Sequence, residues 1–174
     1  MNFLSLFVLI PLLMMVGLAL SKEMKQIRLV AVTGSAIQLL LAIGLVALYL
    51  CERSAGNTAE MLFLADTVWY APLNIHYTVG VDGISVVMLL LSAVVAFAGV
   101  FSAWNMERDF FVWYSLLAVG VFGYFISLDL FTMFMFYEIA LIPMFLLIGV
   151  WGTGKKVYAA TKLTLMLMGG SAFL

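Results

Sequence analysis

Charged residues are scarce in this chain of 174 residues, where they make up 10% of the sequence while hydrophobic residues make up 66%. A typical soluble domain has about 25% charged and roughly 45–50% apolar residues. A folded chain of this size has too much surface in contact with water to hide such an apolar excess. The composition therefore excludes a soluble enzyme and a disordered chain, and the net charge of −1 offers no basic patch for nucleic acid. We predict a polytopic membrane protein.

Cysteine and histidine are almost missing, with Cys51 and His76 the single instance of each. One cysteine cannot form an internal disulfide. A zinc site or an iron–sulfur cluster needs several thiolate or imidazole ligands, so this chain alone is not expected to hold either. A haem with two histidine ligands is excluded for the same reason. We expect no cofactor and no metal ion bound by this chain itself.

Long apolar runs, each near the roughly 20 residues that a membrane-spanning helix needs, recur six times. They predict an all-α, polytopic membrane helix bundle that forms a single membrane domain over 1–174. No basic residue precedes the first run, so we expect a retained helix rather than a cleaved signal peptide. The last run has no polar stop, which favours a chain that is part of something longer. The predicted spans are 2–20, 29–50, 84–105, 110–128, 130–150 and 157–174.

The basic residues of the short loops predict the orientation of the bundle. With the N-terminus on the external side, six of them are cytoplasmic and only Arg53, in the long loop, is external. Cytoplasmic loops of membrane proteins carry such an excess of lysine and arginine. The six are Lys22, Lys25, Arg28, Arg108, Lys155 and Lys156.

The long external loop contains a strand-like segment. Apolar residues alternate with other residues from Ile75 to Val81, which is the period of a half-buried strand and predicts a short external β-hairpin. His76 is then expected to be an exposed strand residue rather than a proton carrier. Asp82 and Asp129 each precede a predicted helix, and we expect them to cap its free backbone N–H groups.

Glu138 is the strongest functional candidate, because it is an acid near the middle of the fifth predicted span. An ionised carboxylate there costs roughly 2.5–3.5 kcal/mol on insertion scales. The ring of Pro143 removes the helical hydrogen bond to the carbonyl of Ile139, beside Glu138. A freed carbonyl next to an intramembrane acid favours a hydrated ion path. The alternative is a structural acid paired with another helix.

Lys162, inside the sixth predicted span, is the second candidate. It either extends its ammonium group to the cytoplasmic interface or faces the bundle and pairs with Glu138 or another buried group.

Two other patterns have simpler interpretations. The segment GVWGTGK, residues 149–155, fits seven positions of a phosphate-binding loop, but Lys156 replaces the required Ser or Thr. Small residues predict close helix packing, and they are Gly120, Gly123, Gly169, Gly170 and Ser171.

Three segments resemble the antiporter-like subunits of respiratory complex I (NADH:quinone oxidoreductase), and among them the subunit M (chain 4) group. YTVGVDGIS, residues 77–85, resembles the segment before their third helix, and SLDLFTMFMFYEIALIPMFLLIGVWG, residues 127–152, resembles their acid-bearing fifth helix. YAATK, residues 158–162, resembles the opening of their sixth helix. Tyr137 stands where many members have tryptophan. The three segments occur in the family's order.

The resemblance implies a fold and a function. Members have about fourteen helices with inverted repeats, so this chain would supply the first six. Glu138 corresponds to the family's fifth-helix glutamate, which tunes the pKa of a lysine on a later helix during proton translocation. Lys162 corresponds to the sixth-helix lysine, a possible proton-path residue. The implied activity is that of a membrane subunit of NADH:quinone oxidoreductase that translocates protons, with electron transfer from NADH to quinone in other subunits and no redox chemistry in this chain.

The resemblance also implies the surroundings of the chain. NADH, FMN, iron–sulfur clusters and quinone are expected in the wider complex, and the partners are other membrane subunits, especially adjacent antiporter-like ones, in the lipid of a bacterial plasma membrane. Other interpretations stay open. A cation/proton antiporter subunit or a membrane-bound hydrogenase subunit would carry similar helices. A structural membrane scaffold and a separate six-helix transporter belong to different classes.

Overall fold

The apolar runs form helices because a bilayer offers no partners for backbone N–H and C=O groups. The computed structural model describes residues 2–174, in which a 3-10 turn, Phe3–Ser5, leads directly into the first helix. The six helices are α1 Leu6–Leu20, α2 Met24–Ser54, α3 Gly83–Ser102, α4 Arg108–Ile126, α5 Leu130–Trp151 and α6 Lys156–Ser171. Five of the described helices are long and apolar enough to cross a membrane, whereas α6 has 16 residues.

Helix α2 begins five residues before the predicted span, so Lys25 and Arg28 lie on the helix rather than in a loop. Hydropathy marks the apolar part of a helix and not the turns that extend into the headgroup region. The extension is fixed by a polar contact. Arg28 Nε donates to the carbonyl of Trp104 at 3.0 Å, and its guanidinium lies 5.1 Å from the centre of the Trp104 ring.

The predicted hairpin is present as two antiparallel strands, β1 Leu62–Tyr70 and β2 Ile75–Val81. A 3-10 turn and Asn74, with φ of 53°, connect the strands. The predicted alternation holds only in part, because Val79, Gly80 and Val81 are all buried. The link between α4 and α5 pairs with the edge of β2, where Leu128 N donates to the Thr78 carbonyl at 2.9 Å. The side chain of Leu128 also covers Gly80.

The hairpin packs on one end of the bundle, which we call the hairpin end. A buried apolar cluster there joins Leu4, Leu45, Val79 and Ile126, from α2, α4, β2 and the turn before α1. The links α1–α2, α3–α4 and α5–α6 lie at the opposite end, which we call the basic end. The six basic residues predicted to share one side of the membrane lie in or beside these three links.

Helix α4 is the centre of the bundle and contacts α1, α2, α3 and α5. Its two glycines let α5 approach closely. A Cβ added at Gly120 would lie 2.6 Å from the backbone nitrogen of Ala140, and one added at Gly123 would overlap the ring of Phe136. The predicted packing role is therefore confirmed for this pair. At Gly169 and Gly170 an added Cβ would meet nothing within 4 Å, so these two glycines serve no close packing among residues 2–174. Ser171, the third small residue of α6, is buried against Glu138 of α5.

Candidate functional site around Glu138

Glu138 lies on α5, the helix that packs between α4 and α6. Its side chain is half-buried, and its carboxylate Oε1 faces the hydroxyl of Ser171 at 3.3 Å. Ser171 is buried near the end of α6, and its hydroxyl is also 2.8 Å from the carbonyl of Met168. A single hydroxyl proton serves only one acceptor at a time, so the carboxylate has at most one shared donor here.

Tyr137, the residue before the acid, provides a second link to α6. Its hydroxyl donates to the carbonyl of Leu167 at 3.0 Å, and its ring centre lies 6.2 Å from that of Tyr124 on α4. These rings border a groove of about 260 Å³ between the three helices. The groove is mostly apolar and is lined by Gly120, Val121, Tyr124, Phe125, Tyr137, Ala140, Leu141, Met144 and Leu167.

Pro143 is buried within α5, which continues as a helix on both sides of it. Because proline has no N–H, the carbonyl of Ile139 lacks its normal helical donor. In residues 2–174 no side chain donates to this carbonyl either; the polar side-chain contacts of the region go to Leu167 and Glu138. The freed carbonyl and the acid are consecutive in sequence, as predicted.

Lys162 is exposed, and its ammonium lies 5.7 Å from the centre of the Tyr158 ring, one turn closer to the basic end. It precedes Ser171, the residue that contacts Glu138, by nine positions, which is about 13 Å along a helix. The structure therefore does not bring Glu138 and Lys162 together. The ammonium group of Lys162 therefore lies on the side of α6 that runs toward the basic end. Within the described residues Glu138 forms no ion pair.

The two aspartates expected to cap helices do so. Asp82 Oδ1 accepts from the backbone N–H of Ser85 at 2.7 Å, and this hydrogen bond holds the pKa of Asp82 below its ordinary value. Asp129 Oδ2 accepts from the N–H of Thr132 at 3.3 Å and fixes the start of the helix that carries Glu138. Both predictions are confirmed.

His76 lies on β2 as predicted, but it is half-buried and paired rather than simply exposed. Its Nδ1 lies 3.0 Å from Asp66 Oδ1, and Thr78 donates to the same carboxylate at 2.9 Å. The hydrogen bond from Thr78, followed by that from His76, lowers the pKa of Asp66. The His76 carbonyl accepts from Thr132 at 3.1 Å, which ties the hairpin to the first turn of α5. Alternation alone could not reveal the partner strand that carries Asp66.

The phosphate-loop interpretation fails in the structure as well as in the motif. Residues 149–155 begin inside a helix that ends at Trp151, so a helix and not a strand leads into the segment. Lys156 Nζ donates to the carbonyl of Val150 at 2.7 Å and so serves the helix end. Among the residues described, no group of three or more His, Cys, Asp or Glu side chains is arranged to hold a metal ion.

One polar residue escaped the sequence analysis. Gln38 is buried in α2, and its Nε2 donates to the carbonyl of Phe7 at 3.1 Å. Phe7 is four residues before Pro11, so this carbonyl also lacks its helical donor. The sequence showed a glutamine inside one predicted span and a proline inside another. Neither pattern indicates that the Gln38 side chain donates to the carbonyl that Pro11 leaves free.

Comparison with known proteins agrees with this geometry. Residues 127–174 match the family described as NADH:quinone oxidoreductase/Mrp antiporter, TM. NADH-quinone oxidoreductase subunit M of Rhodobacter capsulatus is 35% identical over 133 residues, which cover 75% of this chain and 26% of the relative. NAD(P)H-quinone oxidoreductase chain 4 of Synechococcus sp. is 34% identical over 175 residues, covering 98% and 32%. The chain is therefore similar to antiporter-like membrane subunits over almost its whole length.

A solved structure has the same fold over almost the whole chain. A chain of respiratory complex I from Thermus thermophilus with bound NADH superposes with a TM-score of 0.78 and 25% identity, covering 97% of this chain and 33% of that one. The chain spans between about a fifth and a third of the length of the relatives it matches. The resemblance seen in three sequence segments is confirmed, and the chain is an integral, multi-pass membrane protein.

Proposed function

We propose that the chain is part of a subunit M of NADH:quinone oxidoreductase and takes part in proton translocation, coupled to electron transfer from NADH to quinone in other subunits. The observation that carries the proposal is Glu138, an intramembrane acid on a helix that belongs to the matched family segment. An acid at this depth is costly and marks ion pathways in membrane proteins.

The surroundings of Glu138 within residues 2–174 leave its carboxylate without a cationic partner. A structural acid is expected to have a cation close by, because an unpaired charge in a dry environment is strongly unfavourable. Within residues 2–174 its polar contact is the neutral hydroxyl of Ser171. We propose that Glu138 interacts with a lysine outside these 174 residues and tunes its proton affinity. Water beside the freed carbonyl of Ile139 would complete a hydrated path.

Lys162 enters the proposal as a possible proton-path residue that acts separately from Glu138. It lies on a face of α6 that the described residues leave exposed. Its ammonium group lies toward the basic end, where a proton would enter from the cytoplasmic side. A partner acid on another segment or subunit would then be needed to hold its charge.

We propose that the basic end faces the cytoplasm and the hairpin end faces outward, in a bacterial plasma membrane. Six of the eight lysines and arginines lie at the basic end, which is the asymmetry of the positive-inside rule. Adjacent antiporter-like subunits are the proposed neighbours. NADH, FMN, iron–sulfur clusters and quinone would belong to other subunits of the complex.

The test is Glu138→Gln in the assembled complex, with proton uptake and quinone reduction measured together after NADH is added. Glutamine keeps the shape and the contact with Ser171 but removes the charge and the titration. We expect NADH-driven proton uptake to fall by at least an order of magnitude, which is about 1.4 kcal/mol in the free energy of activation.

Glu107→Gln is the matched control, because it makes the same chemical change on an exposed residue at the basic end. We expect it to leave proton uptake unchanged. A Glu138→Gln complex that assembles normally and keeps full coupled activity would contradict the proposal and favour a scaffold role.

A cation/proton antiporter subunit is the second candidate, since the matched family description includes the Mrp antiporters. The two functions differ in the ion moved and in the source of energy. Uptake driven by NADH and unaffected by sodium supports the first proposal. Proton movement that requires an imposed sodium gradient and ignores NADH supports the second.

A further inference from the structure

Ser171 is the residue of α6 that meets Glu138, and its hydroxyl has two acceptors within reach. The residue is buried, and its Oγ lies 2.8 Å from the carbonyl of Met168 and 3.3 Å from Glu138 Oε1. The hydroxyl has one proton, and the shorter distance favours its donation to Met168. The oxygen of the hydroxyl keeps lone pairs, so it can also accept a hydrogen bond from the side of Glu138.

The two protonation states of Glu138 need opposite behaviour from this hydroxyl. A protonated carboxyl group has an O–H donor, whereas an ionised carboxylate only accepts. With Glu138 protonated, its O–H can donate to Ser171 Oγ while the Ser171 hydroxyl donates to Met168. With Glu138 ionised, the Ser171 hydroxyl can donate to the carboxylate and form a charge-assisted hydrogen bond. Rotation about the Cβ–Oγ bond of Ser171 exchanges the two arrangements.

The carbonyl of Met168 tolerates the departure of this hydroxyl proton. It also accepts from the backbone N–H of Ala172 at 3.0 Å, as an ordinary helical carbonyl does. When the Ser171 proton turns toward Glu138, the Met168 carbonyl therefore keeps one hydrogen bond, and the cost of an unsatisfied buried acceptor does not arise. Ser171 can change its acceptor without leaving a buried polar group unpaired.

A second contact holds α6 at the height that this exchange needs. The hydroxyl of Tyr137, the residue before Glu138, donates to the carbonyl of Leu167 at 3.0 Å. Leu167 lies one helical turn before Ser171, on the same side of α6. The consecutive residues Tyr137 and Glu138 therefore both contact α6 within a single turn, which fixes the position of Ser171 beside the acid.

The other ionisable groups around Glu138 leave this exchange to Ser171. Asp129 precedes Glu138 by nine positions and Lys162 precedes Ser171 by nine, which is about 13 Å along a helix in each case. His76 contacts the first turn of α5 through its backbone carbonyl. Tyrosine side chains titrate only at about pH 10 in model peptides. Those on the three helices are Tyr114, Tyr124, Tyr137 and Tyr158.

We propose that Ser171 is a positioning residue for Glu138, whose hydroxyl accepts from the protonated acid and donates to the ionised one. The inference rests on the proposed function, because it requires Glu138 to change its protonation state. Ser171 keeps its own proton throughout and changes only the acceptor, while the proton lost by Glu138 leaves through the hydrated path beside Ile139. Both forms of the acid are then hydrogen-bonded inside the membrane.

The test compares Ser171→Ala, which removes the hydroxyl, with Ser171→Thr, which keeps one. Infrared difference spectra of the assembled complex are recorded on addition of NADH, and the carboxyl band of Glu138 is the one that Glu138→Gln removes. We expect Ser171→Ala to move the C=O stretching band of protonated Glu138 to higher frequency, because the carboxyl group loses its hydrogen bond. NADH-driven proton uptake should fall several-fold in the same variant. Ser171→Thr should keep the wild-type band and most of the uptake.

Ser115→Ala is the matched control, because the Ser115 hydroxyl is also buried and donates to a carbonyl of its own helix, that of Phe111 at 2.8 Å. We expect it to change neither the Glu138 band nor proton uptake. A Glu138 band that stays in place in Ser171→Ala, or the absence of a Glu138 carboxyl band in the wild type, would overturn the proposal. Equal losses of uptake in Ser171→Ala and Ser171→Thr would also overturn it.

Glu138→Gln separates this failure from a failure of the proposed function. Unchanged proton uptake in Glu138→Gln would reject the proposed function, and the role of Ser171 with it. A large loss in Glu138→Gln, together with a wild-type band and wild-type uptake in Ser171→Ala, would reject only the role of Ser171.

Discussion

Two prolines lie inside apolar helices, Pro11 in α1 and Pro143 in α5, and the carbonyls that they leave without a helical donor have different surroundings. In α1, Pro11 frees the carbonyl of Phe7, and Gln38 supplies the missing donor. In α5, Pro143 frees the carbonyl of Ile139, and no side chain among residues 2–174 donates to it. The first break is satisfied within the chain, whereas the second is left available beside an acid.

This difference separates a self-contained region from an open one. The helices α1 to α4 and the hairpin share two buried apolar clusters. The pair α5 and α6 keeps Glu138 half-buried and Lys162 exposed, with apolar residues such as Leu165 and Met166 exposed beside them. Glu138 and Lys162 are the two charged residues inside the predicted spans, and that is where we place the ion path.

The largest effect on stability is expected for Gly120→Leu, which places a side chain against the backbone of α5. Backbone atoms cannot turn aside as a flexible side chain can, so we expect a loss at the upper end of overpacking effects, about 3 kcal/mol. The measurement is thermal unfolding of the detergent-purified protein. Gly169→Leu is the control, since nothing lies within 4 Å of its added Cβ. Equal losses for both would show that the two regions do not differ in packing.

Gln38→Leu is expected to cost about 2 kcal/mol, because it leaves the Phe7 carbonyl buried without a donor. Pro11→Ala restores the helical donor to that carbonyl. In the Pro11→Ala background we therefore expect Gln38→Leu to cost clearly less, which a double-mutant cycle of unfolding free energies measures. If the losses of unfolding free energy in the two single variants simply add in the double variant, Gln38 does not compensate for Pro11. The contrast between Pro11 and Pro143 would then be wrong.

Asp82→Ala is expected to cost about 1 kcal/mol through loss of the cap on α3. The pKa of Asp82 is lowered in the folded protein, so its contribution is complete above the unfolded pKa, about 3.8, and is lost as the pH falls through the folded value. The unfolding temperature should therefore fall in this acidic range in the wild type and fall less in Asp82→Ala. Glu60→Ala, in the exposed loop, should behave as the wild type.

Asp66→Asn is expected to have the smallest effect, since this carboxylate is exposed to solvent. Its pKa is lowered by the hydrogen bonds from Thr78 and His76, so both contacts weaken as the pH falls below about 3.8. We expect amide exchange in the hairpin to speed up over that range in the wild type, and the step to be absent in Asp66→Asn. A step that persists in the variant would assign it to another group.

Much of this fold could be predicted, because each prediction rested on a local rule. Runs of apolar residues indicated helices, alternation after Ile75 indicated a strand, and Asp82 and Asp129 stood one residue before helix starts. The start of α2 could not be predicted in this way. Its first turns are polar and extend into the interface, where Arg28 is held by Trp104 on a distant segment.

The parts that escaped prediction depend on contacts between distant segments. Gln38 and Phe7 are separated by 31 positions, and Ser171 and Glu138 by 33. Hydropathy marked Glu138 because a charge stands out in an apolar run, but an uncharged glutamine does not. The depth of Lys162 in its run left open whether it pairs with Glu138. Nine helical positions separate Lys162 from Ser171, the residue that contacts Glu138.

The account depends most on the claim that Glu138 serves the ion path and not the fold. The measurement that tests it most directly is the number of protons moved per electron pair in the assembled Glu138→Gln complex. We predict normal assembly and unfolding temperature with a lower ratio or a blocked turnover, while Glu107→Gln keeps the wild-type value. An unchanged ratio at full turnover, or a complex that fails only because the variant unfolds, would contradict the claim.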